Sequence, residues 1–256
     1  MDARLILAAA SLVSAAAAAQ DFDQGHAAWG ALLEKNVVVL PGGHASQVRY
    51  DGFAADRKAL KAYLDTLSGV SRAQFDGWTK NERKAFLLNA YNAFTVEKIL
   101  TRWPDIRSIW DFGKIFGNPF KDDFFKLLGG PMTLDGIEHG MLRKRGAYDD
   151  PRVHFAVNCA SIGCPMLREE PYVAGKLDAQ LEEQAVRFLS DRSRNRYRDG
   201  RLEVSKIFDW FKEDFEPRAK FFARYREALG YPGGDVPVEF LDYDWSLNDY
   251  RSSSRR

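Results

Sequence analysis

NERKAFLLNAYNAFTVEKILTR, residues 81–102, is the stretch whose reading decides the fold. Ala85, Phe86, Leu87, Leu88, Ala90, Tyr91, Ala93, Phe94, Val96, Ile99 and Leu100 make one long helix apolar nearly all round. Such a helix is buried on most of its sides, so the remaining elements must wrap it. Asn89 and Asn92 interrupt the apolar surface three residues apart and therefore share a face. A buried amide left without hydrogen bonds costs about 1–3 kcal/mol, so both side chains need partners. Two readings fit: the pair fastens a neighbouring loop to the helix, or it lines a functional pocket.

Working outward, residues 23–35 and 56–67 carry apolar side chains at helical spacing, with the Pro41-Gly42-Gly43 turn between them. Downstream, Thr133 is suited to cap a helix running through Ile137, Glu138, His139, Met141, Leu142 and Arg143, with Gly146 stopping it. Residues 152–157 alternate and read as a short buried strand containing His154. An amphipathic helix follows over residues 174–190. Asp199-Gly200 between Tyr197 and Leu202 predicts a two-residue hairpin turn. Ser205 caps a further helix, Pro217 and Gly230 bracket another, and residues 236–243 predict a closing strand. No linker, repeat or low-complexity segment divides residues 20–256. The expected fold is one helix-dominated α+β domain. Its small, mostly antiparallel sheet comes from residues 124–128, 152–157, 196–204 and 236–243.

Residues 1–19 read as an address. Arg4 precedes an apolar run to Ala19 broken only by Ser11 and Ser14, and the run ends in Ala17-Ala18-Ala19. Small residues at that place suit signal-peptide cleavage. A spanning helix wants roughly 20 residues with side chains stronger than alanine. The expectation is a periplasmic or secreted protein with no stable membrane anchor after cleavage. The 18 Phe, 10 Tyr and 6 Trp supply ample core. A net charge of +1 argues against a dedicated nucleic-acid surface.

No phosphate-cradling Gly-Lys-Ser/Thr loop, His-Glu-x-x-His, Gly-x-Ser-x-Gly or dinucleotide fingerprint occurs, and no cofactor or metal is expected. Chemistry concentrates at residues 138–165, which hold His139, His154, Cys159 and Cys164. One reading is thiol catalysis. Cys159 sits in a small-residue loop whose N–H groups can stabilise a thiolate, and His139 or His154 serves as base. His154, five residues away along an extended strand, faces opposite Cys159; His139 would come from its helix, oriented by Glu138 or an asparagine. The second reading is a Cys159–Cys164 disulfide, apt for an exported chain with an even cysteine count. The third is a zinc site of His139, His154, Cys159 and Cys164, although their spacing matches no zinc pattern. His26 and His44 read as packing or surface residues.

The blocks Ala85-Phe86-Leu87-Leu88-Asn89-Ala90-Tyr91-Asn92-Ala93, Leu134-Asp135-Gly136-Ile137-Glu138-His139, residues 152–165 and Ser205-Lys206-Ile207-Phe208-Asp209-Trp210 resemble the DUF547 family, a domain of unknown function. Tyr243-Asp244-Trp245-Ser246-Leu247-Asn248 resembles its bacterial branch. The resemblance implies that Asn89, Tyr91, Asn92, Glu138, His139, Arg152, His154, Asn158, Cys159, Cys164 and Pro165 occupy motif positions. A buried Asn-bearing helix beside Cys and His also resembles papain-like and transglutaminase-like enzymes at the level of fold analogy. The functional expectation is a cysteine-dependent hydrolase or transferase acting on an amide or ester of unknown substrate. Cys159 is its nucleophile, His139 or His154 its base, and Glu138, Asn89 and Asn92 orient the site; Tyr91, Arg152, Asn158 and Cys164 are binding positions. The rival is a non-catalytic binding or scaffold module stapled by a Cys159–Cys164 bridge.

Overall fold

Thr79 starts the central helix with a reciprocal cap: its hydroxyl accepts from the Glu82 N–H, and the Glu82 carboxylate accepts from the Thr79 N–H at 2.7 Å. The computed structural model describes residues 21–113 and 117–250. The export-signal reading and the closing Arg-Ser-Ser-Ser-Arg-Arg tail fall outside these residues. In chain order the elements are α1 Ala27–Asn36, β1 Val37–Val39, β2 Ser46–Val48, α2 Tyr50–Ala55, α3 Arg57–Gly69, α4 Arg72–Asp76, α5 Lys80–Leu100, β3 Phe125–Leu127, β4 Gly130–Met132 and α6 Leu134–Ile137. They continue with α7 Leu177–Ser190, β5 Arg196–Arg198, β6 Arg201–Ser205, α8 Ile207–Trp210, α9 Arg218–Arg224, α10 Arg226–Leu229 and β7 Val238–Leu241.

Every residue of α5 from Lys84 to Leu100 is buried, as its all-round apolar pattern demands. Within that buried stretch Lys84 pairs with Asp150, Glu97 with Arg57 and Lys98 with Asp122, while the Thr95 hydroxyl donates to the Tyr91 carbonyl. α1, α3 and α5 form the first core around Trp29, Tyr63, Phe86 and Leu88. A second, phenylalanine-rich core lies between α7, β6 and the short helices α8 to α10, with Phe155, Phe188, Phe208 and Phe215 at its centre.

The fold is helix-dominated α+β, but its strands do not make one sheet. β1–β2 and β3–β4 are separate antiparallel hairpins, and the third sheet has the order β5-β6-β7 with β6 and β7 parallel. Asp199 (φ 51°) and Gly200 (φ 78°) make the left-handed turn that the hairpin needs.

Residues 152–157 are not a strand. Asp150 caps, and Pro151 opens, a 3-10 turn over Pro151–Phe155, in which the Asp150 carboxylate accepts from the Arg152 N–H at 3.0 Å. The alternation misled because this segment runs between the two cores: Val153, Ala156 and Val157 pack into the first and Phe155 into the second. The expected helix over residues 137–143 also changes character. α6 passes into a π turn, Glu138–Leu142, closed by the Arg143 N–H donating to the Glu138 carbonyl at 2.9 Å.

Candidate active site

Asn89 and Asn92 fasten loops to α5. Asn89 accepts from the Tyr172 N–H at 3.0 Å and donates to the Tyr172 carbonyl at 2.7 Å. Asn92 donates to the Ala156 carbonyl at 2.9 Å and accepts from the Asn158 N–H at 2.8 Å. Each amide thus gives both its ends to one stretch of backbone. Asn158 continues the chain of ties, donating to the Pro165 carbonyl at 2.7 Å and accepting from the Ala160 N–H at 3.0 Å.

The loop so held is closed covalently, because Cys159 and Cys164 are joined by a disulfide. The C-terminal segment is laced across it: the Gly163 N–H donates to the Asp244 carbonyl and the Ile162 N–H to the Ser246 carbonyl, both at 2.8 Å. A Cβ on Gly163 would stand 3.0 Å from Asp244 backbone atoms, so this approach needs glycine. The lacing brings Tyr243 and Trp245 over the loop, with the Tyr243 hydroxyl 3.3 Å from Cys159 Sγ.

Together these segments wall a cleft of about 140 Å³. The π turn contributes Glu138 and His139, the 3-10 turn His154, and α5 Tyr91; the disulfide forms one side, and Phe120, Trp210, Phe211, Tyr243 and Trp245 complete an aromatic lining. His154 is buried, stacked on Phe211 with ring centroids 4.1 Å apart. Its Nε2 lies 2.6 Å from Asp214 Oδ2, and the same oxygen takes Arg143 Nε at 2.5 Å. Burial pushes the imidazole below its usual pKa despite the pull of Asp214. The ring is therefore neutral at pH 7, with Nε2–H donating to Asp214 and the Nδ1 lone pair turned toward Glu138 Oε1, 3.9 Å away. The His154 and Arg143 hydrogen bonds outweigh burial at Asp214 and hold its carboxyl well below the usual range.

Glu138 is the opposite case. Its side chain is only 12% exposed, and burial drives its pKa up to about 7 against the Tyr91 hydrogen bond and the Arg143 charge. His139, exposed at the mouth, shares Arg143 through Nδ1 and lies 3.8 Å from Asp135, and partial burial lowers its pKa.

The structure brings Tyr91, Glu138, His139, His154, Cys159 and Cys164 to one cleft and leaves Asn89, Asn92, Arg152 and Asn158 out of its lining. Arg152 instead gathers Asp150, Asp178 and Glu182. Both cysteines are bridged, so neither sulfur is a thiol in this state, and a nucleophilic Cys159 would first require reduction of the bridge. The zinc set is not assembled either: its sulfurs are bonded to each other, and no group of three His, Cys, Asp or Glu side chains is placed to hold a metal ion among the described residues. Sequence reasoning passed over Asp214 because it sits in Lys212-Glu213-Asp214, which looks like a solvated charge run.

Residues 75–189 match the family model described as "Protein of unknown function, DUF547". That segment belongs to the DUF547 family. No curated protein and no solved structure matches the chain significantly. The DUF547 match includes Tyr91, Glu138, His139, His154 and the disulfide, while Trp210, Phe211, Asp214, Tyr243 and Trp245 come from beyond it. No helix among the described residues is long and apolar enough to cross a membrane.

A short-loop bridge removes conformational freedom from the unfolded chain worth about 2 kcal/mol. Replacing Cys159 and Cys164 together by Ala is expected to lower the melting temperature by about 4–8 °C. Calorimetry of the variant beside the oxidised parent checks this.

Proposed function

We propose that the protein is an exported hydrolase or transferase whose acid–base group is Glu138, acting on an amide or ester held in the aromatic cleft. The observation that carries this reading is Glu138 itself: a carboxyl poised at about 7, beside a buried neutral imidazole, on the wall of a concave site. A base is most effective when its pKa lies near the working pH. Asp214 and Arg143 fix the tautomer and orientation of His154, leaving Nδ1 to face the reacting group. The 3.9 Å between Glu138 and His154 is too long for a direct hydrogen bond, and catalytic contacts commonly tighten only when substrate arrives.

In hydrolysis the Glu138 carboxylate takes a proton from water as the water oxygen bonds to the carbonyl carbon. The protonated Glu138 then gives that proton to the departing amine or alcohol as its bond to carbon breaks. A transferase replaces the water by an acceptor hydroxyl or amine. The bridge supports placement in an oxidising compartment, where such bonds persist.

The test is turnover of a panel of chromogenic esters and amides by the oxidised protein from pH 5 to 9. Expected is kcat/KM rising with pH through about 7 as Glu138 loses its proton. Turnover that appears only after reduction would restore Cys159 as the nucleophile, and no turnover in either state would leave the cleft a binding site.

A further inference from the structure

The π turn that presents Glu138 and His139 to the aromatic cleft goes on to Gly140 and Met141, which line a different cleft of about 480 Å³. Its walls are α4, the first turns of α5 and residues 140–148. Lys80, Arg83, Lys144 and Arg145 line it, and none of the four has an ion-pair partner among the described residues. The other cation there, Arg72, is engaged by Asp76, whose two oxygens both take its Nε at 2.9 Å. Among the described residues Asp76 is also the only acid in the lining, so no other carboxylate there balances the remaining four cations.

Against a net charge of +1 for the whole chain, this is a local concentration of positive charge, and a concave setting focuses its field on an anion. Arg83 Nε is buried without a hydrogen-bond partner among the described residues, a donor whose desolvation is uncompensated by the protein. Behind the cations the wall is apolar and aromatic. Phe75 is buried, and the Tyr148 ring lies 5.8 Å from the ammonium groups of both Lys80 and Lys84.

We propose that this cleft is a binding site for a phosphoryl group, with Arg83 supplying the guanidinium fork and Lys80, Lys144 and Arg145 the surrounding charge. Guanidinium matches the tetrahedral oxyanion by paired hydrogen bonds, and several cations together favour a dianion over a carboxylate. The volume exceeds what inorganic phosphate needs and is of the size that small-molecule ligands fill. Tyr148 and Met141 give an attached ring an apolar surface.

Isothermal titration calorimetry on the oxidised protein at low ionic strength tests this with inorganic phosphate, phenyl phosphate and phenol as probes. Saturable binding of phenyl phosphate and none of phenol is expected. Arg83→Gln and Lys144→Gln, each verified as folded by circular dichroism, should each weaken binding at least tenfold. Phenyl phosphate binding tenfold or more above inorganic phosphate marks the occupant as a phosphate ester, and equal affinities mark it as free phosphate; both support phosphoryl recognition. Absence of saturable binding by either phosphate, or binding unchanged in both variants, overturns the proposal.

Discussion

Glu138→Gln is expected to lower kcat/KM by about 10²- to 10⁴-fold while making the protein more stable at alkaline pH. The two effects share one cause. A carboxyl that titrates at 4.5 in the unfolded chain titrates at about 7 in the fold, because ionising it there strands a charge away from water. Between those values the folded protein holds a proton that the unfolded chain has released. The contribution of Glu138 to stability is therefore whole below about pH 4.5 and falls as pH rises through about 7. Glutamine keeps the shape and can still accept from Tyr91, but it never ionises. At pH 8 the variant should exceed the parent by about 1–3 kcal/mol, and below pH 4.5 the difference should vanish. Urea unfolding at the two pH values measures it. A variant less stable than the parent at pH 8 would show that the native carboxylate is a stabilising anion, and with that the acid–base assignment fails.

Asn92→Ala is expected to destabilise the protein by about 3 kcal/mol. The side chain donates to the Ala156 carbonyl and accepts from the Asn158 N–H, and all the groups involved are buried. Truncation strands one carbonyl and one N–H where water cannot replace the amide, and each stranded group costs about 1–3 kcal/mol. The damage is also functional, because the two anchored residues flank Val157 and lie between His154 and the disulfide. Turnover should fall even at temperatures where the variant stays folded. Denaturant unfolding gives the first number and an assay well below the melting temperature the second. A loss under 1 kcal/mol would mean that the loop finds other partners and that Asn92 does not hold the site.

The candidate site was legible in part, and the division follows the range of the forces involved. Thr133 was readable as a cap because the bond it makes, accepting from the Gly136 N–H at 2.8 Å, is three residues long. Likewise Asp199-Gly200 forces its hairpin locally. A possible bridge between Cys159 and Cys164 needed only their spacing. Asp214 was invisible because its meaning depends on His154, 60 residues earlier, and on Arg143, 71 earlier. Tyr243 was visible as part of a block but not as a wall of the cleft, since it reaches Cys159 across 84 residues.

By itself the sequence determined a helix apolar on every side, and hence a fold wrapped around it with two amides obliged to find partners. It also carries the DUF547 segment, residues 75–189. Only the tertiary structure decided that those amides hold backbone and do not face the cleft. It likewise decided that residues 152–157 turn between two cores, and that Glu138 meets a neutral imidazole in a place where its own charge is unwelcome. Apolar periodicity acts on neighbours along the chain and can be read there. Burial and pKa are set by whatever the fold brings up from elsewhere, and for Glu138 that means Tyr91, Arg143 and Asp214.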